Sequence, residues 1–224
     1  MRYYPVNLDI KKKNCLVIGG GPVGTRKVKT LLDCGAKVTL VSPFATEKLT
    51  KMAENQKIIW HKRSYEASDL DGTFLVIGAT DDEALNLKIS MDAEKQNKLC
   101  NIADRPEVCN FILPAIIHKD DLIIAISTSG QSPAFAKKLR KDLEKQFGDE
   151  YAVFLKMMGA IRKKLLSEKH EPEAHKPIFE KLIHSNLLEY IRSKDLKAIN
   201  TELYNLLGNG YRFEDLFSIH ENPL

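Results

Sequence analysis

The residues Gly19-Gly20-Gly21-Pro22-Val23-Gly24 close a short apolar run, Cys15-Leu16-Val17-Ile18, and open a helical pattern. In the spacing Gly-x-Gly-x-x-Gly, Gly19 allows a tight turn, Gly21 lets the backbone approach a pyrophosphate, and Gly24 lets a helix pack close to its strand. Pro22 and Val23 stand where a helix N-terminus offers free N–H groups and the positive end of its dipole to an anion. The chemistry implied is the holding of a dinucleotide. Two further groups end later apolar runs. Asp104 follows Leu99-Cys100-Asn101-Ile102-Ala103, where a carboxylate can take up a proton while hydride leaves for a nicotinamide. Ser127-Thr128-Ser129 follows Leu122-Ile123-Ile124-Ala125-Ile126 and offers hydroxyls and N–H groups to carboxylates. No general base stands beside those hydroxyls in the sequence, which argues against nucleophilic catalysis there.

The neighbours of these groups carry alternatives. Asn101, Arg105 and Asn110 flank Asp104 and are placed to orient it or to bind substrate; for Arg105 the partner is a substrate carboxylate or a nearby acid. Thr80-Asp81-Asp82 caps a helix and stands within reach of a cofactor ribose. Ser42 occupies the place where the fingerprint usually has an acidic residue on the ribose hydroxyls. A serine can bond a ribose but does not repel a 2′-phosphate, so the pattern alone leaves NAD and NADP open. Arg26 and Lys27 meet either a phosphate or solvent. The cluster Lys137-Lys138-Leu139-Arg140-Lys141 is either a solvated helix face or a site for an anionic substrate.

The elements that must position these groups follow from periodicity. Val28, Leu31 and Leu32 recur at helical spacing up to Cys34, and Gly35 stands at a C′ position. Lys37 to Val41 reads as a second buried strand, which completes a βαβ unit of about the expected 30 residues. A helix is expected near Thr46 to Glu54, a short strand at Ile58 to Trp60 and a buried strand at Leu75 to Ala79. A helix over Asp82 to Gln96 is expected to turn Ala84, Leu87, Met91 and Ile89 inward, before a strand at Leu99 to Ile102. This alternation predicts a parallel, doubly wound sheet. Ligands of such sheets lie beyond the carboxyl ends of the strands, where the glycine turn, Ser42, Thr80-Asp81 and Ala103-Asp104 stand.

The pattern changes after Asp104. Phe111 to Pro114 and Leu122 to Ile126 are expected to form an antiparallel pair, with the turn in His118 to Asp121. Ser132 followed by Pro133 starts a helix, expected to run to Phe147 and stop at Gly148. From Asp149 the chain reads as helical, at Tyr151 to Leu166, Ile178 to Ile183, Leu187 to Arg192 and Leu196 to Leu207. Gly208-Asn209-Gly210 breaks the pattern, and a poorly ordered tail is expected beyond it.

Of the 224 residues, 43% are hydrophobic and 29% charged, the balance of a globular chain. No apolar run approaches the roughly 18 residues that span a bilayer, so no membrane partner is expected. Met1 to Val6 has no signal-peptide core, and cytoplasmic location is the expectation. The net charge of +4 is mild and comes with no nucleic-acid-binding signature, so no nucleic acid is expected as partner. The four cysteines form no C-x-x-C pair. Neither a structural disulfide nor a metal site is expected.

Taken in order, these motifs resemble the precorrin-2 dehydrogenase family, the dehydrogenase/ferrochelatase module of siroheme biosynthesis. The resemblance covers residues 1 to about 145. It rests on Tyr4-Pro5-Val6, the Gly19–Gly24 loop, Val41-Ser42-Pro43 and Ala79-Thr80-Asp81-Asp82. It continues through Cys100-Asn101-Ile102-Ala103-Asp104-Arg105-Pro106, Phe111-Ile112-Leu113-Pro114-Ala115 and Ile126-Ser127-Thr128-Ser129-Gly130-Gln131-Ser132-Pro133. The serine-proline pair after the second strand belongs to it. The resemblance implies an α/β fold: a Rossmann-type doubly wound parallel sheet over 1–113, a small dimerisation and substrate-site region over 114–148, and a helical C-terminal region over 149–224. It implies NAD as cofactor, the tetrapyrrole precorrin-2 as substrate, a homodimer, and Asp104 as the catalytic residue. A carboxylate-fringed tetrapyrrole gives a reason for the Ser127–Ser129 turn and for Lys137. It implies methylation by another protein, and leaves open whether the chain also inserts ferrous iron. A different class, a non-catalytic NAD/NADH sensor, needs the glycine turn but no acid at position 104.

Overall fold

A computed structural model describes residues 2–103, 105–167 and 172–217. Asp104, the expected proton acceptor, and the end of the tail lie outside the described residues. The chain divides into two compact units, Met1–Leu113 and Pro114–Leu224.

The first unit alternates strand and helix: β1 Asn14–Gly20, α1 Pro22–Asp33, β2 Lys37–Ala45, α2 Glu47–Glu54, β3 Ile59–His61, β4 Leu75–Gly78, α3 Glu83–Lys95 and β5 Leu99–Ile102. The sheet order is β3-β2-β1-β4-β5, and every pair is parallel. Alternate residues of β1 serve opposite faces, as the pleat requires. Cys15 and Val17 pack with Val28 and Leu31 of α1 and Leu49 of α2. Leu16 and Ile18 pack with Ile89 and Ala93 of α3. Helices therefore cover both faces, and all five carboxyl ends lie along one edge. This is the doubly wound α/β architecture that the alternation predicts.

The inward face of α3 differs from expectation in part. Ile89 is buried as expected, but Ala84, Leu87 and Met91 are exposed, the last two at 49% each, and Asn86 and Ala93 are buried beside Ile89. The reason is polar. Asn86 Nδ2 donates to the Thr80 carbonyl at 2.8 Å, and its Oδ1 accepts from the Thr80 hydroxyl at 2.9 Å. These bonds turn Asn86 inward and carry the stripe of Leu87 and Met91 outward.

In the second unit β6 Ala115–Lys119 and β7 Leu122–Ile126 form the antiparallel pair, with Lys119 opposite Leu122. The first strand therefore begins after the expected Phe111–Pro114. Pro114 has no N–H for a ladder, and the Phe111 carbonyl accepts from Asn101 Nδ2 at 3.1 Å. The turn is Asp120-Asp121, with Asp120 at φ 50°. Helix α4 runs over Pro133–Glu144, and Ser132 caps it by accepting from the Phe135 N–H. It stops short of Phe147, whose ring packs on Tyr151 at 5.0 Å. Then follow α5 Glu150–Ser167, α6 Pro172–Ile183, α7 Leu187–Arg192, α8 Leu196–Leu207 and α9 Phe213–Leu216. Met157, Ile161, Leu182, Ile199 and Leu203 form their core. Of the described residues past Gly210, Tyr211 and Phe213 are buried in that same core, and the tail expected to be poorly ordered lies outside the described residues from 218 on. Among the described residues, no helix is long and apolar enough to cross a membrane.

Candidate functional site

The glycine turn joins β1 to α1 at the carboxyl edge. Gly19 has φ 107°, and a Cβ there would lie 2.6 Å from the Ala79 carbonyl carbon. A Cβ on Gly24 would collide with the Gly19 carbonyl, so α1 seats on its strand only without a side chain there. Gly21 is different. Its φ is −75°, which any residue adopts, and no heavy atom lies within 4 Å of where its Cβ would stand. Nothing in the protein itself requires glycine at 21; what a side chain would fill is the space in front of α1. Pro22 opens the helix, where the first-turn N–H groups lack partners within it. Backbone donors, a positive dipole end and reserved space fit the pyrophosphate of a dinucleotide.

The second strand holds this turn in place. The Ser42 hydroxyl accepts from the Gly20 N–H at 3.0 Å. The Ser42 carbonyl accepts from the Trp60 indole at 3.0 Å. Ser42 is buried, so its first task is to satisfy a buried backbone donor. Thr46 N–H donates to the Gly20 carbonyl at 2.9 Å, and the Thr46 and Thr25 hydroxyls lie 2.8 Å apart. Phe44, beside them, is 83% exposed. Thr25, Thr46 and Phe44 were not legible as site residues, because isolated threonines and an aromatic past a strand carry no spacing signal.

At the end of β4, Thr80 binds Asn86 as described, and the Asp82 carboxylate caps α3 by accepting from the Leu85 N–H at 3.0 Å. The cap is thus Asp82 rather than Asp81, which is exposed. A cleft of about 560 Å³ is lined by Gly19–Gly21, Ser42, Thr80 and Asp81, so the structure brings these predicted cofactor residues together. Tyr65 also lines it. Burial and the neighbouring Asp92 carboxylate, which accepts from its hydroxyl at 3.3 Å, push the phenol well up and keep it neutral.

Side chains bond the described segments on either side of position 104. Asn101 is buried and bonds the Phe111 carbonyl. Asn110 Oδ1 accepts from the Cys100 N–H at 2.8 Å, and its Nδ2 donates to the Lys98 carbonyl at 2.7 Å. Both amides therefore brace β5 and the segment after it. Cys109 Sγ accepts from the Ile102 N–H at 3.1 Å and lies 3.3 Å from the Ile102 carbonyl and 3.1 Å from the Arg105 carbonyl. Arg105 pairs with Glu83 at 3.0 Å and Glu107 at 3.5 Å.

In the second unit, the hydroxyl turn is built by its own side chains. Ser127 Oγ accepts from the Ser129 N–H at 3.1 Å, and Thr128 Oγ1 from the Ser132 N–H at 3.1 Å. Ser129 has φ 53° and Gly130 φ 85°. Lys137 is exposed on α4, and Arg140 pairs with Glu144 at 2.6 Å. Among the described residues no cluster of His, Cys, Asp or Glu could hold a metal ion.

Two family models match the chain in order. Residues 6–115 match an NAD(P)-binding family and residues 119–146 a sirohaem biosynthesis protein central family. A siroheme synthase of Vesicomyosocius okutanii is 32% identical over 209 residues, covering 93% of this chain and 45% of that protein. One of Pseudoalteromonas atlantica is 42% identical over 144 residues, covering 64% of this chain and 31% of that protein. The chain thus spans less than half the length of these curated relatives. Among solved structures, SirC, a precorrin-2 dehydrogenase, superposes with a TM-score of 0.75 at 25% identity, covering 89% of this chain and 100% of that one.

Proposed function

The chain belongs to the precorrin-2 dehydrogenase family, the dehydrogenase module of siroheme synthases, and from that premise we propose that it oxidises precorrin-2 to sirohydrochlorin with NAD. The balance is precorrin-2 plus NAD⁺ giving sirohydrochlorin, NADH and a proton. The bound nicotinamide supplies the hydride acceptor. The observation that carries the reading is the open side of Gly21, where no protein contact calls for glycine and a pyrophosphate would.

In this reading the α1 N-terminus and the turn Gly19–Gly24 hold the pyrophosphate, Ser42 keeps the turn in shape, and Thr80 and Asp81 border the nicotinamide half. Ser42, Pro43 and Phe44 bring no positive charge to the ribose end, which favours NAD over NADP. Asp104 takes the proton that leaves the macrocycle with the hydride. Its support is chain position: it stands two residues after the last residue of β5, and the Ala103 N–H donates to the Gly78 carbonyl at 2.8 Å. That bond extends the parallel register toward the edge bearing the glycine turn. Asn101 and Asn110 act as braces for this segment. Ser127, Thr128, Ser129 and Lys137 of the second unit supply donors and positive charge for substrate carboxylates, whereas Arg105 is held by the nearby acids Glu83 and Glu107. The protein acts as a homodimer in the cytoplasm. Exposed Ile116, Ile123 and Phe135 in the second unit support the first part, and four free cysteines the second.

The test is anaerobic incubation of the purified chain with precorrin-2 and NAD. NADH and sirohydrochlorin are expected in equal amounts, with slower turnover on NADP. Precorrin-2 consumed without NADH, or left unconsumed, would overturn the reading.

A further inference from the structure

The segment between β2 and α2 approaches the glycine turn more closely than a side chain would allow: a Cβ on Gly20 would lie 2.9 Å from the Ala45 Cα. The register of β1 on β2 shifts between Ile18 and Gly20, so that Gly20 pairs with Ala45. That approach brings Thr46 to the turn. The Gly20 carbonyl accepts from the Thr46 N–H at 2.9 Å, and the Gly21 carbonyl accepts from the Thr25 N–H at 2.9 Å. The Thr25 hydroxyl lies 2.9 Å from the same Gly21 carbonyl and 2.8 Å from the Thr46 hydroxyl. Thr46 also caps α2, its hydroxyl accepting from the Leu49 N–H at 3.4 Å. A hydroxyl has one hydrogen to give. Thr25 gives its own to the Gly21 carbonyl, so the hydrogen between the two hydroxyls belongs to Thr46. The bonds therefore run one way, from Leu49 through Thr46 and Thr25 to Gly21, and bonds in such a chain strengthen one another.

We propose that Thr25 and Thr46 are positioning residues for the dinucleotide: they hold the Gly20 and Gly21 carbonyls away from the pyrophosphate, so that the turn meets it with N–H groups. This rests on the reading of the glycine turn as the pyrophosphate site. The physical reason lies in the peptide plane. The carbonyl and the N–H of a trans peptide point opposite ways, and no peptide among the described residues is cis. With the Gly20 carbonyl held on Thr46, the Gly21 N–H points away from Thr46, and among the described residues it has no acceptor. A turn free to rotate would present carbonyl oxygens to an anion, and binding would carry the cost of ordering it. The threonine chain fixes the shape before the ligand arrives. Neither threonine belongs to the Gly-x-Gly-x-x-Gly spacing; the fold brings them to it.

The experiment titrates NAD into the full chain and into five variants: Thr25→Val, Thr46→Val, the double variant Thr25→Val/Thr46→Val, Thr25→Ser and Gly21→Asp. Each single valine variant is expected to raise the Kd for NAD by about 3- to 10-fold, the loss of one hydrogen bond. Thr25→Ser keeps the hydroxyl and is expected to bind NAD as the wild type does. The double variant is expected to bind no more weakly than Thr25→Val, because the Thr46 hydroxyl acts on Gly21 through Thr25. An unchanged Kd in Thr25→Val would overturn the proposal. So would a serine variant as weak as the valine one, or a double variant weakened by the product of the two single factors. No NAD binding by the wild type, or Gly21→Asp binding as tightly as the wild type, would instead overturn the underlying reading of the turn. If the valine variants do not fold, amide exchange in the wild-type chain decides. Coupling between two sites is reciprocal, so saturating NAD is expected to slow exchange of the Leu49 N–H several-fold. Exchange at Leu49 unaffected by NAD would overturn the proposal.

Discussion

The Ser42 hydroxyl accepts the Gly20 N–H at 3.0 Å, so the strand next to the glycine turn grips that turn with a side chain. Ser42→Ala leaves a buried donor unpaired, which costs about 1–3 kcal/mol. A domain of this size is expected to lose roughly 2–4 °C of melting temperature per kcal/mol. Thermal unfolding and NAD titration check this: both stability and affinity should fall. An unchanged melting temperature would show that the bond carries no weight.

Gly21 and Gly24 are expected to respond in opposite ways. A Cβ at Gly21 meets no neighbouring protein atom, so Gly21→Asp should leave the melting temperature unchanged while abolishing measurable NAD binding, because a carboxylate would stand where the pyrophosphate belongs. Gly24→Ala drives a methyl into the Gly19 carbonyl and should destabilise the first unit by about 1–3 kcal/mol. Calorimetry on both variants separates a position kept for a ligand from one kept for packing.

Thiol titration tests the burial of the cysteines. Burial, with help from Cys34, holds Cys15 up to about 11. Burial and Cys109 hold Cys100 up to about 12. A thiol whose folded value is raised stabilises the fold fully below the ordinary value of about 8.5, and that contribution is lost as pH rises through the folded value. At pH near 8, a disulfide reagent should therefore label exposed Cys34 quickly and Cys15 and Cys100 only after denaturation. Stability should decline on the alkaline side. Fast native labelling of Cys100 would contradict the packing of β5.

Asn86 is a polar residue on the buried side of α3, and its amide joins the Thr80 hydroxyl and carbonyl. Asn86→Leu follows the apolar logic of a core helix face, yet it is expected to destabilise by about 1–3 kcal/mol because it strands those groups. Leu87→Lys, on the exposed side, should change stability by less than about 0.5 kcal/mol. Denaturant unfolding of the two variants reads the difference.

These contrasts show what was legible in the residues and what was not. The glycine spacing, the apolar runs of β1, β2, β4 and β5, and the Ser132-Pro133 helix start are strong local signals, and each lands within a few residues of its element. The inward face of α3 was legible only at Ile89, because an asparagine bonded to a threonine six residues away overrides the stripe of Leu87 and Met91. The start of β6 was missed for a similar reason: Asn101 takes the Phe111 carbonyl, a bond between segments that periodicity does not encode. In the site, glycines and strand ends could be named from spacing. The grip of Ser42 on Gly20, and of Cys109 on Ile102 and Arg105, depends on tertiary approach.

In the proposed reaction a dinucleotide on the glycine turn accepts hydride while Asp104 accepts the proton. Single-turnover oxidation of precorrin-2 by Asp104→Ala, with NAD binding measured on the same preparation, separates these two roles. Wild-type NAD affinity is expected, with oxidation slowed by at least about 100-fold. Oxidation at the wild-type rate would remove Asp104 from the reaction.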